Sequence, residues 1–354
     1  MTSGPDPRFW QGRRVFLTGH TGFKGAWAAL WLQLMGAKVY GFALAPDTEP
    51  NLWSEVADGV LAGETLADLA DREALARAVE TAQPDVVLHM AAQALVRASY
   101  ADPVRTTATN VMGAVHLLEA LRGCDIVKTV LVVTTDKVYA NDDSGRHFVE
   151  ADALGGYDPY SASKAAAEIM TKSYAGSFLE PRGIRVATAR AGNVIGGGDW
   201  SPDRLVPDVW RAAQQGRPVK LRSPGSTRPW QHVLDPLAGY FRYVEALSSG
   251  DAVPRSLNFG PPAGEAATVA EVAERVGTAL GMAQAWQQDD GEHPREMNFL
   301  SLDPALAEKA IGWRTRLGFE PAIEWTARWY ADHVASRSAR DLCIDQICRY
   351  QALA

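Results

Sequence analysis

Tyr160-Ser161-Ala162-Ser163-Lys164 sets a phenol and an ammonium four positions apart, hence on one face of a helix. About 25 residues earlier, an apolar run ends in Thr134-Thr135-Asp136-Lys137. A lysine beside a phenol lowers the phenol's pKa. The phenolate can then take the proton of a substrate hydroxyl while hydride leaves the carbon that bears it. The same pair at this spacing is ordinary on any solvated helix, so the chemical reading needs a hydride acceptor elsewhere in the chain.

The segment Thr18-Gly19-His20-Thr21-Gly22-Phe23-Lys24-Gly25 supplies the place for one. Arg14 to Thr18 reads as a strand, and Ala26, Trp27, Leu30, Trp31 and Leu34 recur at helical spacing beyond the turn. Gly19 allows the tight turn, Gly22 lets the backbone approach a pyrophosphate, and Gly25 lets helix and strand pack closely. Strand, glycine turn and helix in this order predict a bound dinucleotide. The acid that usually meets the adenosine ribose about twenty residues on is missing, since Gly41-Phe42-Ala43-Leu44-Ala45 stands there. No arginine follows to meet a 2′-phosphate, which favours NAD.

The elements that must hold these groups alternate along the chain. Strands are expected at 38–44, 85–89, 129–134 and 184–189, and helices at 75–81, 111–121 and 161–178. This order predicts an α/β fold with a doubly wound parallel Rossmann-type sheet. Beyond Arg190 come Gly196-Gly197-Gly198-Asp199-Trp200, many prolines and shorter helices at 206–215 and 269–280. A smaller mixed α/β C-terminal substrate lobe is expected there. The NAD-binding domain is placed at 1–190 with a return segment at about 229–260. The substrate lobe and tail take 191–228 and 261–354.

The 354 residues carry a formal charge of −7, with 47% apolar and 22% charged residues. That balance argues against a general nucleic-acid or anionic-membrane surface. No leader pattern opens the chain and no apolar run is long enough to span a bilayer, so a cytoplasmic protein is expected. Cys124, Cys343 and Cys348 show no paired spacing, so neither disulfides nor a metal site is expected.

Several longer stretches carry a resemblance: the glycine turn, His89-Met90-Ala91-Ala92-Gln93-Ala94-Leu95-Val96-Arg97, Thr134 to Lys137, Gly155-Gly156-Tyr157-Asp158-Pro159-Tyr160-Ser161 and Arg190 to Trp200. They resemble the extended branch of the short-chain dehydrogenase/reductase superfamily, and within it the CDP-glucose 4,6-dehydratases. The resemblance implies an internal redox cycle on a nucleotide-linked hexose, with a CDP-hexose preferred, and a homodimer. Tyr160 would take the C4 hydroxyl proton, Thr135 would orient that oxygen, Lys164 would hold the cofactor ribose and Asp136 would be the acid at C6. Lys137 stands where the dTDP-glucose branch has a glutamate. Its role stays open between base at C5, which needs a lowered pKa, and electrostatic stabilisation of the enolate.

By the same resemblance Gly19, Thr21, Gly22, Phe23, Lys24, Gly25, Asp68, Leu69, Ala91 and Ala92 bind the cofactor, with Tyr160 and Lys164. Gln93, Asn193, Arg228 and Arg295 bind the substrate, Arg295 having a surface salt bridge as its other reading. Asn110 would support the catalytic pair indirectly. Asp235 is either an N-cap before Pro236 or a ligand contact. His89, Trp27 and Trp31 read as structural, and Asp142-Asp143 as a solvated loop. A nucleotide-sugar 4-epimerase or reductase, and a non-catalytic cofactor-binding regulatory protein, are the competing functions.

Overall fold

The computed structural model describes residues 4–141, 143–262, 264–265, 267–291 and 299–353. In chain order the elements used below are β1 (Arg14–Thr18), α1 (Phe23–Leu34), β2 (Lys38–Ala43), β3 (Leu61–Leu66), α2 (Arg72–Ala82), β4 (Val86–His89), α3 (Gly113–Arg122) and β5 (Thr129–Val133). Then come α4 (Pro159–Tyr174), β6 (Arg185–Ala191), α5 (Leu205–Gln214), α6 (Leu234–Ser249), β7 (Ser256–Phe259), α7 (Val269–Ala279), α8 (Phe319–Val334) and α9 (Ala339–Ala352).

Among the described residues the main sheet has seven strands in the order β7-β6-β5-β4-β1-β2-β3, and every neighbouring pair is parallel. β4 and β5 are buried at every position, as central strands covered on both faces must be. Trp27, Trp31 and Phe241 of α1 and α6 fill one face. Leu75, Val79, Leu117 and Leu121 of α2 and α3 fill the other. Both tryptophans are fully buried core residues.

Strand order reverses between β1 and β4, whose ends pair Thr18 with His89. Ligands of such sheets bind beyond the carboxyl ends at this reversal. The glycine turn after β1, residues 90–93 after β4, 134–137 after β5 and 192–193 after β6 all emerge there. Outside the main sheet, Val219–Leu221 pairs in parallel with Trp286–Gln288, and Thr227–Arg228 pairs antiparallel with Ala267–Thr268. α5 and α7 pack beside these short strands. No helix among the described residues is long and apolar enough to cross a membrane.

Two elements differ from the sequence expectation. β3 falls in a stretch given no element, and α8 in one expected only to belong to the second lobe. Asp235 is neither a cap nor a ligand contact. It lies inside the first turn of α6, fully buried, and accepts from Arg316 N at 2.8 Å, Leu317 N at 3.4 Å and the Tyr350 hydroxyl at 2.8 Å. Burial pushes its carboxyl up to about 7. Its task is to anchor α9 and the chain before α8 to the core.

Candidate active site

The glycine turn has the shape that a pyrophosphate requires. Gly19 sits at φ +80°, and a Cβ there would fall 2.7 Å from the Ala91 backbone. A Cβ on Gly25 would meet the Gly19 carbonyl at 2.0 Å, so α1 can cross the strand end this closely only with glycine. At Gly22 the nearest atom to an added Cβ is 3.5 Å away, which leaves the outer side of the turn open. Gly22 is also the N-cap of α1, with no side chain on the first amides, so those donors face the open side. The residues present fit the dinucleotide.

Around the turn, the Thr21 hydroxyl donates to the Leu44 carbonyl at 2.9 Å and ties the turn to the end of β2. Asp68 is exposed and accepts from Ala70 N at 2.9 Å, while Leu69 is buried against Gly113. Ala91 N donates to Thr18 Oγ1 at 3.2 Å, and Ala92 follows it beyond β4. His89 bonds Thr18 Oγ1 at 2.8 Å, and burial drives its pKa down to about 3, which fits a neutral structural residue.

Asp158 caps α4 by accepting from Ser161 N at 2.9 Å, with Pro159 in the first turn. This start puts Tyr160 and Lys164 on the inward face, both buried, and α4 against the segment after β5. Asn110 holds the loop beneath. Its Oδ1 accepts from Gln93 N at 2.9 Å, and its Nδ2 donates to Ser163 Oγ at 2.8 Å, which in turn donates to the Tyr160 carbonyl.

Tyr160, Thr135, Asp136 and Lys137 line one cleft of about 570 Å³, together with Lys24, Asn193, Arg204 and Arg228. Asp136 is almost fully buried. Its Oδ1 accepts from the Thr135 hydroxyl at 2.9 Å, and its Oδ2 has no hydrogen-bond partner among the described residues. A Cβ on Gly192 would lie 2.9 Å from that Oδ2, so the glycine keeps its surroundings clear. Lys137 is half-buried and donates its backbone N–H to Thr135 Oγ1 at 3.4 Å.

The electrostatics differ from the expectation in one respect. Burial outweighs any lowering of the Tyr160 phenol. The Lys164 Nζ donates to the Val133 carbonyl at 3.1 Å, and the phenol is pushed up to about 12 by burial, with Thr135 pulling the other way. Burial also pushes Lys164 down to about 8, against the pull of Glu168. Glu168 accepts from Arg190 Nε at 2.8 and 3.0 Å and from the Thr134 hydroxyl at 2.6 Å, a buried pair directly behind the site.

Gln93 does not join the cleft. Its Nε2 donates to the Leu95 carbonyl and to Thr106 Oγ1, and its Oε1 accepts from Leu95 N, so the amide is spent closing its own loop. Asn193 and Arg228 do line the cleft. Arg295 and Asp142 lie outside the described residues, and Asp143 is exposed as expected. No group of three or more potential metal ligands occurs among the described residues.

Lys24, expected at the cofactor, and two residues that the sequence reading did not single out, Arg204 and Gly192, complete the cleft. The Lys24 ammonium turns into the cleft, where burial and the like charges of Arg204 and Lys164 push it down to about 7, with Asp136 opposing. Arg204 is held there by Asp199 at 3.0 Å. Gly192 makes room for Asp136. Gly192 opens the stretch to Trp200, whose glycines fit under other side chains, and a Cβ on Gly197 would fall 2.0 Å from the Trp329 ring, whereas nothing local marks Arg204.

Comparison with known proteins agrees with this geometry. Residues 15–260 match the NAD dependent epimerase/dehydratase family. The chain is 43% identical over 331 residues to a CDP-glucose 4,6-dehydratase of Salmonella typhimurium, covering 92% of each. Its fold superposes on the dTDP-glucose 4,6-dehydratase DesIV of Streptomyces venezuelae, solved with NAD bound, with TM-score 0.77, 26% identity and coverage of 91% and 98%. It superposes equally on the UDP-glucose 4-epimerase of Thermus thermophilus in complex with NAD, with TM-score 0.77, 28% identity and coverage of 90% and 99%. With its turn fitted to a pyrophosphate and its family matched from β1 to the end of β7, the chain belongs to the NAD dependent epimerase/dehydratase family.

Proposed function

We propose that the protein is a hydro-lyase that converts CDP-D-glucose to CDP-4-keto-6-deoxy-D-glucose. The observation that carries this reading is the buried Asp136 carboxylate, with one unpartnered oxygen, in the same cleft as Tyr160 and Lys137. An epimerase has no use for an acid there. The relative from Salmonella typhimurium supports CDP-glucose as the substrate.

When bound, NAD would supply the acceptor for hydride from C4 and the donor for hydride to C6. Tyr160 would take the proton of the C4 hydroxyl as a phenolate, the positive charge of a bound nicotinamide offsetting the burial that pushes its phenol up to about 12, and Thr135 helps to orient that hydroxyl. Thr135 has one proton to give, so it serves either the phenolate or Asp136 at a given moment. The resulting 4-ketone acidifies C5, and Lys137 faces that proton as base or as the charge that stabilises the enolate. In its acid form Asp136 gives the proton on Oδ2 to the departing C6 hydroxyl, which leaves as water, and C5 is reprotonated as hydride reaches C6. Lys164 holds the cofactor ribose, and Asn193 and Arg228 hold the diphosphate, a guanidinium being suited to bidentate contact with oxyanions.

The remaining parts follow from the same reading. Residues 1–190 with 229–260 form the cofactor lobe, and 191–228 with 261–354 the substrate lobe and tail. The enzyme acts in the cytoplasm as a homodimer paired through the helices around α3 and α4, where Met112, Ile169 and Phe178 are exposed.

Incubation of the purified protein with CDP-, UDP-, dTDP- and GDP-hexoses, followed by mass measurement, tests the reaction. Loss of one water from CDP-glucose without net consumption of NAD is expected. A product of unchanged mass assigns the protein to the epimerases and overturns the reading.

A further inference from the structure

The cleft that holds Asp136 and Tyr160 extends to the parallel pair Val219–Leu221 and Trp286–Gln288. Val219, Leu221 and Val269 give this end apolar walls, and Arg222 and Asp289 line it with opposite charges. Each charged residue stands one position beyond the end of its strand. One main-chain bond and the Gln288 side-chain amide fix the two side by side. Asp289 N donates to the Leu221 carbonyl at 2.9 Å, and Gln288 Nε2 donates to the carbonyls of Arg222 and Asp289 at 3.2 Å each.

Lys220, Ser223 and Asp208 line the cleft as well, and apolar walls with a carboxylate and a guanidinium held side by side suit a flat heterocycle that carries both kinds of edge. Cytosine presents an exocyclic amine next to acceptors at N3 and O2, whereas uracil and thymine present a carbonyl oxygen where cytosine has the amine. A carboxylate accepts from that amine, and a guanidinium donates to the O2 carbonyl oxygen. Against uracil the carboxylate oxygen that met the amine faces O4, an acceptor with no proton between them, and only a shift along the edge to N3–H relieves the desolvated contact.

We propose that Asp289 and Arg222 read the base of the nucleotide sugar, Asp289 accepting from the cytosine amine and Arg222 donating to O2. Asp289 is then the residue that separates a cytidine diphosphate sugar from its uridine and thymidine counterparts. Arg222 adds affinity for any pyrimidine, since O2 is common to all three. The inference rests on the CDP-glucose reading.

The test compares kcat/KM for CDP-glucose and UDP-glucose in the wild type, Asp289→Asn, Asp289→Ser and Arg222→Met, with calorimetric binding of CDP and UDP alongside. Asp289→Asn should lower the CDP:UDP ratio at least about tenfold, through KM rather than kcat, because its amide can donate to the uracil oxygen. Asp289→Ser should lower it in the same direction. Arg222→Met should weaken both nucleotides by similar factors and leave the ratio in place. If the wild type prefers CDP-glucose and folded Asp289 variants keep that preference within about twofold, the inference fails and the CDP reading stands. A wild type with no preference between the two sugars overturns both.

Discussion

Thr135 donates its hydroxyl proton to Asp136 Oδ1 at 2.9 Å, and the other carboxylate oxygen is buried without a partner among the described residues. A buried carboxyl oxygen without a partner is costly, whether or not it carries the proton, unless something arrives to meet it. The substrate hydroxyl at C6 is the group that the proposed reaction brings there. Asp136→Asn should therefore stop the elimination while leaving the first oxidation intact. In single turnover the reduced-nicotinamide absorbance should rise and persist, and steady-state turnover should fall about 10²- to 10⁴-fold. A variant in which that absorbance never appears would place Asp136 in the first step instead.

Lys137 makes its structural bond through the main chain, so a side-chain substitution spares the turn. Lys137→Ala should keep the oxidation and lose exchange of the C5 hydrogen with deuterated solvent, with turnover down by about 10²-fold or more. Lys137→Arg separates the two roles left open above. A guanidinium cannot give up its proton near neutral pH but does stabilise an enolate, so rescue by arginine assigns stabilisation and failure of rescue assigns the base.

Gly192 tests how tightly the carboxylate is placed. An added methyl would lie 2.8 Å from Pro229 Cγ and 2.9 Å from Asp136 Oδ2, closer than carbon atoms settle. The carboxylate is the more mobile neighbour and should yield. Gly192→Ala should lower kcat about 10²-fold by displacing the acid, with NAD affinity and circular dichroism unchanged. A proportionate loss of NAD affinity would show that the loop, rather than the acid, had moved.

What the sequence made legible were groups whose partners lie close along the chain or at strand ends. The glycine turn, the buried β4 and β5 and the Tyr160/Lys164 spacing each carry a local signature, and the parallel order follows from alternation. β3 was missed because it alternates half-buried and exposed residues, with Gly63, Glu64 and Thr65 in its interior, as an edge strand does. Relations through space left no such trace. Asp235 meets Arg316 and Tyr350 far along the chain, Arg204 and Lys24 share a cleft across 180 residues of sequence, and Lys164 turns to a strand carbonyl instead of the phenol. Gln93 matched a motif by residue type, yet its amide is consumed by Leu95 and Thr106.

Lys24 carries the clearest pH signature. Its amine titrates near 10.5 in an unfolded chain and is pushed down to about 7 in the fold, by burial first and then by Arg204 and Lys164. Below about pH 7 both states hold the proton, and the folded state bears the penalty of a half-buried charge crowded by Arg204 and Lys164. Between there and 10.5 the unfolded chain binds more protons than the folded one, so this contribution to stability improves as pH rises, and above 10.5 the penalty is gone. Lys24→Met removes the charge and keeps the apolar stem. It should stabilise the protein at pH 6 by a few kcal/mol, a difference that shrinks steadily towards pH 10. Urea unfolding of wild type and variant across that range measures it. An equal gain at every pH would mean that the methionine stabilises by packing alone and that the ammonium meets no penalty in the cleft.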